Sequence, residues 1–326
     1  MKRDHPLGAI RHDFGWTHDG CSRHKALTMA LLAAFLALTA PMPVPPTIAA
    51  AAPLRPALSE TTARMSKPPV RGRIIVRIPD AAPSIALPPI QGPRDTARPL
   101  VVIDAGHGGH DPGAYNAELR VREKDLTLAI ARAVRDELLK TGRIRVALTR
   151  DDDRFLVLQE RYGIARKLGA NLFISIHADA ADDPRASGAT IYTLSDVASD
   201  REAARLAARE NRADLLNGVD LSDKSSAVSS ILIDLTQRET MDASARFAEL
   251  LHREALPHFR FRTPYHRFAS LVVLKAPDTP SVLLETGYVS NDQDASWMMT
   301  KDGRLQIAKG VAAAVSVHFA RRSAGR

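Results

Sequence analysis

The pattern of hydrophobic and polar positions changes at about residue 99. Before it, one apolar run at 26–40 stands alone, whereas after it short apolar runs alternate with segments whose apolar side chains recur every three or four residues. This alternation is typical of strands separated by helices. It predicts a single α/β domain with a central, mostly parallel twisted sheet flanked by helices, plus a helical insertion before the last strands.

The predicted strands are short runs rich in valine, isoleucine and leucine, bounded by glycine, proline or polar residues. They cover 100–103, 143–149, 171–179, 188–194, 271–274 and 281–284. Between the first strand and the first helix, residues 111–121 are predicted to form a loop.

The clearest predicted helix opens at 122–125 and carries an apolar residue at every fourth position. The stripe ends before Gly142, a residue type that commonly terminates helices, and consists of Leu126, Ile130, Val134 and Leu138. Further helices are predicted at 158–168, 200–216, 229–236, 241–256, 292–299 and 302–319.

The first 52 residues have the pattern of a secretory signal peptide. Arg23, His24 and Lys25 precede the apolar run, and small residues follow it at 48–52. The run is short for a membrane span, although an uncleaved N-terminal anchor is the alternative interpretation. We therefore expect export across the cytoplasmic membrane. The only cysteine, Cys21, precedes the run, so the mature chain has no thiol for a disulfide or a metal.

Residues 53–98 have the composition of an extended linker, since 14 of the 21 prolines fall within 41–99. The formal net charge of +8 comes mainly from the leader and this linker, because residues 99–326 carry 32 basic and 31 acidic side chains. A nucleic-acid-binding globular domain is therefore not expected.

Histidines and glutamates stand where predicted elements of the folded part begin or end. His107 follows the first strand in a glycine-rich turn, His177 ends the third strand, and Glu285 ends the last strand. Glu123 lies in the first turn of the first helix. Because parallel strands end at one edge of a sheet, we expect these four side chains to converge there. Taken alone, the turn at His107 also suits a phosphate-binding loop or a plain surface turn.

Two imidazoles and a carboxylate form a donor set suited to Zn²⁺, with a fourth position left for water. A second carboxylate then transfers the proton of that water, which is the chemistry of amide or ester hydrolysis. Glu285 is the preferred acid/base because Glu123 lies closer in the chain to His107, but the reverse assignment stays open. Asp104 or Asp179 is a candidate for orienting a ligand histidine, and capping a turn is the alternative role for either residue.

Four motifs in this order resemble the zinc-dependent N-acetylmuramoyl-L-alanine amidases of the amidase_3 family, in the branch that splits septal peptidoglycan in Gram-negative cell division. They are the segments 104–109 (DAGHGG), 122–124 (REK), 175–179 (SIHAD) and 284–291 (LETGYVSN). The resemblance covers residues 99 to about 320, and we assign 99–322 to the catalytic domain.

The resemblance implies one zinc ion on His107, Glu123 and His177, with Glu285 as the catalytic acid/base. It implies hydrolysis of the amide between N-acetylmuramic acid and L-alanine of the stem peptide, in the periplasm, by an enzyme that we expect to be a monomer. Residues 53–98 are too few for the N-terminal targeting domain that such enzymes often carry.

Between His177 and Glu285 lie 107 residues, more than one crossover requires. We assign 198–238 to a helical, autoinhibitory insertion. Within it, residues 198–214 resemble the autoinhibitory segment of the family, in which a helix covers the metal until an activator with a degenerate LytM-type domain displaces it. Glu202 or Glu210 is the residue expected to reach the metal; a solvated helix without such a role is the alternative.

Two other functions fit part of this pattern. A zinc carboxypeptidase shares the metal chemistry and needs an arginine, such as Arg150 or Arg154, to bind a terminal carboxylate. A non-catalytic cell-wall-binding protein is the second, but such proteins usually lack a ligand or the acid/base, and all four candidate residues are present here.

Overall fold

The computed structural model describes residues 86–212 and 227–324, and for 227–235 the backbone alone. The predicted signal peptide, most of the predicted linker and residues 213–226 of the predicted insertion lie outside the described residues. Within the described ranges, no helix is both long and apolar enough to span a bilayer.

A six-stranded sheet forms the centre of the fold. Its strands are β1 (Leu100–Ala105), β4 (Arg145–Leu148), β5 (Leu172–His177), β6 (Ala189–Leu194), β7 (Phe261–Ala269) and β8 (Ser281–Glu285). They lie in the order β4-β1-β5-β8-β6-β7. The two-residue strands β2 (Tyr115–Asn116) and β3 (Val121–Arg122) pair with each other, within the segment predicted to be a loop.

Strand direction decides which chain segments meet at the functional edge. β4, β1, β5 and β8 are parallel, whereas β6 and β7 run together in the opposite direction. The carboxyl ends of β1, β5 and β8 therefore share one edge with the starts of β6 and β7. The predicted mostly parallel α/β fold is confirmed.

Helices cover both faces of the sheet. They are α1 (Glu123–Lys140), α2 (Leu158–Lys167), α3 (Arg201–Glu210), α4 (Ala227–Ala255), α5 (Asp292–Met299) and α6 (Lys301–Ala324). On one face α1, α4 and α6 pack together over a core that includes Ile103, Ile174 and Leu284. On the other face α2 and α3 cover a smaller core that includes Val102, Phe173 and Leu283. Alternate strand residues thus supply opposite cores, as a pleated sheet requires.

The prediction of two helices at 229–236 and 241–256 is wrong, because one continuous helix, α4, covers both. Residues 237–240, between the two predicted helices, are polar, but they contain neither glycine nor proline and are only partly buried or exposed. One polar turn on the surface of a helix does not end it.

The predicted strand at 271–274 is also wrong, and β7 is missing from the sequence prediction. Residues Val272–Leu274 form a 3₁₀ turn whose side chains are buried, which explains the uninterrupted apolar run. β7 is an edge strand with polar residues and Pro264, a composition that argues against a central strand and is tolerated at an edge.

The apolar stripe of α1 predicts which leucines carry the stability of the fold. Leu138 is fully buried, so Leu138→Ala should lower the free energy of unfolding by about 2–5 kcal/mol. Leu256 is 52% exposed and provides the matched control. Leu256→Ala should change the value by less than about 0.5 kcal/mol in urea unfolding monitored by circular dichroism. Equal effects of the two substitutions would contradict the assigned core.

Candidate metal centre

A strained turn after β1 presents the first candidate ligand. β1 ends at Ala105, and His107 follows with a φ of +60°, a left-handed conformation that residues other than glycine rarely adopt. Arg161 donates hydrogen bonds of 2.8 Å to the carbonyl oxygens of Ala105 and His107. Arg150 donates one of 2.8 Å to the carbonyl oxygen of Gly106. Two buried guanidinium groups thus hold the backbone conformation that aims the imidazole.

One ring nitrogen of His107 has a hydrogen-bond partner, and the other has none. Its Nδ1 lies 2.9 Å from Oδ2 of Asp111. Since a carboxylate only accepts, Nδ1 carries a proton, and in the neutral ring Nε2 then presents a lone pair. Nε2 lies 3.1 Å from Oε2 of Glu123 and 3.7 Å from Oε2 of Glu210, yet it is buried without a hydrogen-bond partner. A ring nitrogen that faces two carboxylates calls for positive charge between them, either a proton on the ring or a metal ion.

Glu123 enters this space from the first turn of α1. Its side chain is fully buried and accepts hydrogen bonds of 2.9 Å from the backbone N–H groups of Ala114 and Ala178. Burial alone would raise the pKa of Glu123, but His107 and His177 hold it well below its ordinary value. Glu123 is therefore an ionised carboxylate in a fixed orientation.

His177 ends β5 and faces the same carboxylates. Its Nδ1 lies 3.2 Å from Oε1 of Glu123 and 3.2 Å from Oε2 of Glu210. The centroids of the His107 and His177 rings are 4.9 Å apart. A Cβ on Gly106 would lie 2.5 Å from Cε1 of His177, so only glycine allows the turn to pass this close to the ring.

Glu285 ends β8 directly opposite His177 in the strand register. Its Oε2 accepts a hydrogen bond of 2.9 Å from the backbone N–H of Asp179, whereas its Oε1 is buried without a hydrogen-bond partner. Burial raises the pKa of Glu285 well above its ordinary value, and the nearby carboxylates of Asp179, Glu123 and Glu210 raise it further. This group therefore holds a proton more readily than an exposed glutamate.

Helix α3 covers the space with Glu210, its last residue. Glu210 is 5% exposed and its carboxylate lies against both histidines. The candidate ligand atoms of His107, His177 and Glu210 lie within 4.8 Å of one another, a group that could hold a metal ion. Sequence reasoning offered Glu202 and Glu210 as alternatives, and only Glu210 reaches these histidines.

Glu202 lies elsewhere, where it forms ion pairs with Arg262 and Arg267. Nearer the histidines, Arg209 of α3 donates to the carboxylate of Asp179 and, at 3.0 Å, to the carbonyl oxygen of Ala180. Burial, followed by Glu210 and Glu123, raises the pKa of Asp179 to about 7 despite this arginine.

The donor set fits a divalent metal ion of the zinc type. It offers two imidazole nitrogens and buried carboxylates, the ligands of histidine- and glutamate-based zinc sites. The orphaned Nε2 of His107 is the observation that favours this fit, because protein groups within the described residues leave its lone pair unused. Burial alone would lower the pKa of His107, but Glu123 and Glu210 raise it well above its ordinary value, as a site built around positive charge should.

Sequence reasoning placed the orienting carboxylate incorrectly. Neither Asp104 nor Asp179 bonds a histidine: Asp104 accepts from Thr149, Ser175 and Arg161, and Asp179 pairs with Arg209. The carboxylate that contacts a candidate ligand histidine is that of Asp111, four positions after His107. Asp111 lies in a polar loop, where no pattern of apolar residues indicated this role.

The comparison with protein families decides the class of the chain. The family Amidase_3, described as N-acetylmuramoyl-L-alanine amidase, matches residues 101–317. The chain belongs to this family. The matched range contains His107, Glu123, His177, Glu210 and Glu285. The predicted membership of the N-acetylmuramoyl-L-alanine amidase family is confirmed.

Individual relatives agree with this assignment. The N-acetylmuramoyl-L-alanine amidase AmiA of Escherichia coli (strain K12) is 39% identical over 221 residues, which are 68% of this chain and 76% of the relative. The amidase AmiC of Escherichia coli O6:H1 is 35% identical over 71% of this chain and 56% of its own length. The catalytic domain of the amidase CwlV from Bacillus (Paenibacillus) polymyxa has 27% identity and a TM-score of 0.51, covering 68% of this chain and 98% of that domain.

The contact between Asp111 and His107 leads to a testable prediction for metal binding by the amidase. A carboxylate that orients a ligand histidine commonly contributes a factor of about 10–100 to metal affinity. Asp111→Asn should therefore weaken zinc binding by about this factor in a competition titration with a chromogenic chelator. Asp136→Asn, at a carboxylate that is 60% exposed on α1, is the matched control. Unchanged affinity in Asp111→Asn would refute the orienting role.

Proposed function

We propose that this amidase is a zinc-dependent peptidoglycan hydrolase that cleaves the amide between N-acetylmuramic acid and L-alanine of the stem peptide. The observation that carries the proposal is the convergence of His107, Glu123, His177 and Glu285 at one sheet edge, with two buried polar atoms unpaired. Amidase activity on peptidoglycan is the activity of the family to which the chain belongs.

In this proposal His107, Glu123 and His177 hold one zinc ion. When bound, the ion supplies Lewis acidity that activates water and polarises the scissile carbonyl. Glu123 suits the ligand role, because histidines keep it ionised and backbone N–H groups fix both of its oxygens. This argument favours Glu123 as ligand over the reverse assignment that the sequence left open.

Glu285 is the proposed general acid/base. The N–H of Asp179 fixes Oε2, which leaves Oε1 free to accept a proton from the attacking water. The raised pKa of Glu285 then allows the carboxyl group to deliver that proton to the leaving nitrogen of L-alanine.

Helix α3 is the proposed autoinhibitory element. Glu210 occupies the space beside both histidines that water and the scissile carbonyl would need. Arg205 and Arg209 of α3 form ion pairs with Asp182 and Asp179 in the loop after β5, so the helix is fastened at the rim of the site. We propose that an activator with a degenerate LytM-type domain displaces α3.

The cellular setting belongs to the same proposal. We propose a periplasmic monomer that splits septal peptidoglycan and separates daughter cells, after export by the N-terminal signal peptide. The motif resemblance to the division branch and the identity with AmiA and AmiC support this setting.

The carboxypeptidase alternative loses its candidate carboxylate-binding residues. Arg150 is fully buried and donates to backbone carbonyl oxygens at the strained turn. Arg154 pairs with Asp152, and both side chains are largely exposed. The contacts of these two guanidinium groups are therefore with backbone carbonyl oxygens and with Asp152, rather than with the histidines and glutamates of the candidate metal centre.

Replacement of Glu285 tests the proposed chemistry. Glu285→Gln keeps the shape of the side chain but cannot transfer a proton, so hydrolysis of purified sacculi should fall by about 100-fold or more. Zinc content and thermal unfolding should stay close to the unsubstituted values. The control Glu239→Gln, at an exposed glutamate of α4, should retain full activity. Hydrolysis at the native rate by Glu285→Gln would exclude this role.

Replacement of Glu210 tests the proposed occlusion. Glu210→Ala removes the carboxylate that faces the histidines and should raise basal hydrolysis of sacculi about tenfold, measured by dye release without an activator. Arg201→Ala changes an exposed residue on the same helix and is the control. A folded Glu210→Ala protein with unchanged basal activity would contradict autoinhibition by this residue.

A further inference from the structure

A second cluster of polar side chains lies under α3, next to the catalytic glutamate. We call it the arginine subsite; it consists of Tyr192 of β6, Arg262 and Arg267 of β7, and Tyr288, three residues after Glu285. Tyr192 pairs with Arg267 in the strand register, and Arg262 donates to the hydroxyl of Tyr288 at 3.1 Å. The arginine subsite therefore shares the face of the sheet that α3 covers.

A carboxylate of α3 fills this cluster. Arg262 donates from both terminal nitrogens to the two oxygens of Glu202, one of the contacts measuring 3.1 Å. Arg267 lies 3.2 Å from Oε2 of Glu202 and donates to Asp200, at 2.8 Å, from the same nitrogen. A two-pronged contact of this kind is the geometry with which arginine recognises free carboxylates.

Two polar atoms of the arginine subsite have no hydrogen-bond partner on α3. Nε of Arg267 and the hydroxyl of Tyr192 are buried without a hydrogen-bond partner, in side chains that are 4% and 0% exposed. The contacts of Arg262 and Arg267 with carboxylates, within the described part of the chain, come from Asp200 and Glu202 of the α3 segment. If α3 leaves, two guanidinium groups lose these partners, and a buried charge without a partner is costly.

The position of the arginine subsite suits the peptide side of the substrate. Glu202 and Glu210 are eight residues apart on one helix, which corresponds to about 12 Å along its axis. An extended peptide advances about 3.3 Å per residue, so this separation spans three to four residues. Burial raises the pKa of Tyr288, with Glu285 the next contribution, in agreement with a location beside the catalytic carboxylate.

We propose that the arginine subsite binds a free carboxylate of the stem peptide, about three to four residues beyond the scissile amide. In the covered state Glu202 occupies it in place of that carboxylate, while Glu210 occupies the metal centre. The inference rests on the proposed function, because the substrate reaches this position only after α3 has left.

A purely structural ion pair that fastens α3 is the competing explanation. Arg205 with Asp182 exemplifies such a contact: both side chains are more than half exposed. In contrast, Arg267 is buried, Arg262 is mostly buried, and two phenols accompany them. An exposed ion pair is enough to fasten a surface helix, so this role does not explain why two guanidinium groups are buried beside a catalytic carboxylate.

The test uses the zinc-loaded full chain and two synthetic N-acetylmuramoyl tetrapeptides. One carries its free carboxyl groups, and in the other every carboxyl group is a carboxamide. The background is the double variant Glu202→Ala/Glu210→Ala, which removes the two glutamate carboxylates that occupy the subsite and the metal centre and leaves Asp200 paired with Arg267. To this background we add Arg262→Ala, Arg262→Lys, Arg267→Gln or, as the matched control outside the arginine subsite, Arg205→Ala.

The expected result is that the background prefers the carboxylate form by about tenfold or more in kcat/KM, mainly through a lower KM. Arg262→Ala and Arg267→Gln should reduce this preference to less than about threefold, with partial recovery in Arg262→Lys. Arg205→Ala should retain it. No preference in the background, or a preference that survives both arginine replacements in proteins with unchanged thermal unfolding, would overturn the proposal.

Calorimetry separates this inference from the proposed function. It uses the carboxylate and carboxamide forms of the tetrapeptide without the N-acetylmuramoyl group. The carboxylate peptide should bind the background variant about tenfold more tightly than the carboxamide peptide, and Arg262→Ala should abolish the difference. If the background shows this binding but no increase in hydrolysis, the proposed occlusion fails and the subsite stands. If hydrolysis rises but the peptides bind alike, the subsite fails and the occlusion stands.

Discussion

Acidic and imidazole side chains share one buried space at the carboxyl edge of the sheet, and the rest of the site depends on how their charge is balanced. They are Glu123, Glu210, Glu285, His107 and His177, none more than 8% exposed. Carboxylates without a cation are expensive in such surroundings, so positive charge has to enter as a proton or as a metal ion. The opposite pKa shifts of Glu123 and Glu285 express this constraint, since one is kept ionised by histidines and the other favours its neutral form.

Two buried arginines support the backbone beside this space and do not balance the charge of its carboxylates. Arg150 and Arg161 donate to consecutive carbonyl oxygens at the end of β1, and Arg161 also contacts the carboxylate of Asp104. Their hydrogen bonds maintain the left-handed backbone at His107 while their charges stay behind the turn. Because the protein itself supplies this support, the strained backbone at His107 holds the imidazole in position without depending on a bound metal for stability.

The sequence predicted most of the fold and four of the converging side chains because both follow from strand patterning. His177 and Glu285 end apolar strands, and Glu123 opens a strongly periodic helix, so topology alone brings them together. Asp111 and strand β7 were missed because their segments are polar and their roles arise from tertiary pairing. Periodicity likewise could not distinguish Glu202 from Glu210, because that choice depends on how α3 packs against the sheet.

Helix α3 engages the sheet edge through two carboxylates that meet different kinds of positive charge. Glu210 faces the histidines, whereas Glu202 faces Arg262 and Arg267. A helix held only at the metal centre would compete with substrate at a single point, and its hold would follow metal occupancy alone. Under the proposed occlusion, contact at both positions couples them. When the helix moves as a unit, a ligand that displaces Glu202 also withdraws Glu210 from the histidines. The Asp200 N-cap, which also pairs with Arg267, joins the start of the helix to that unit.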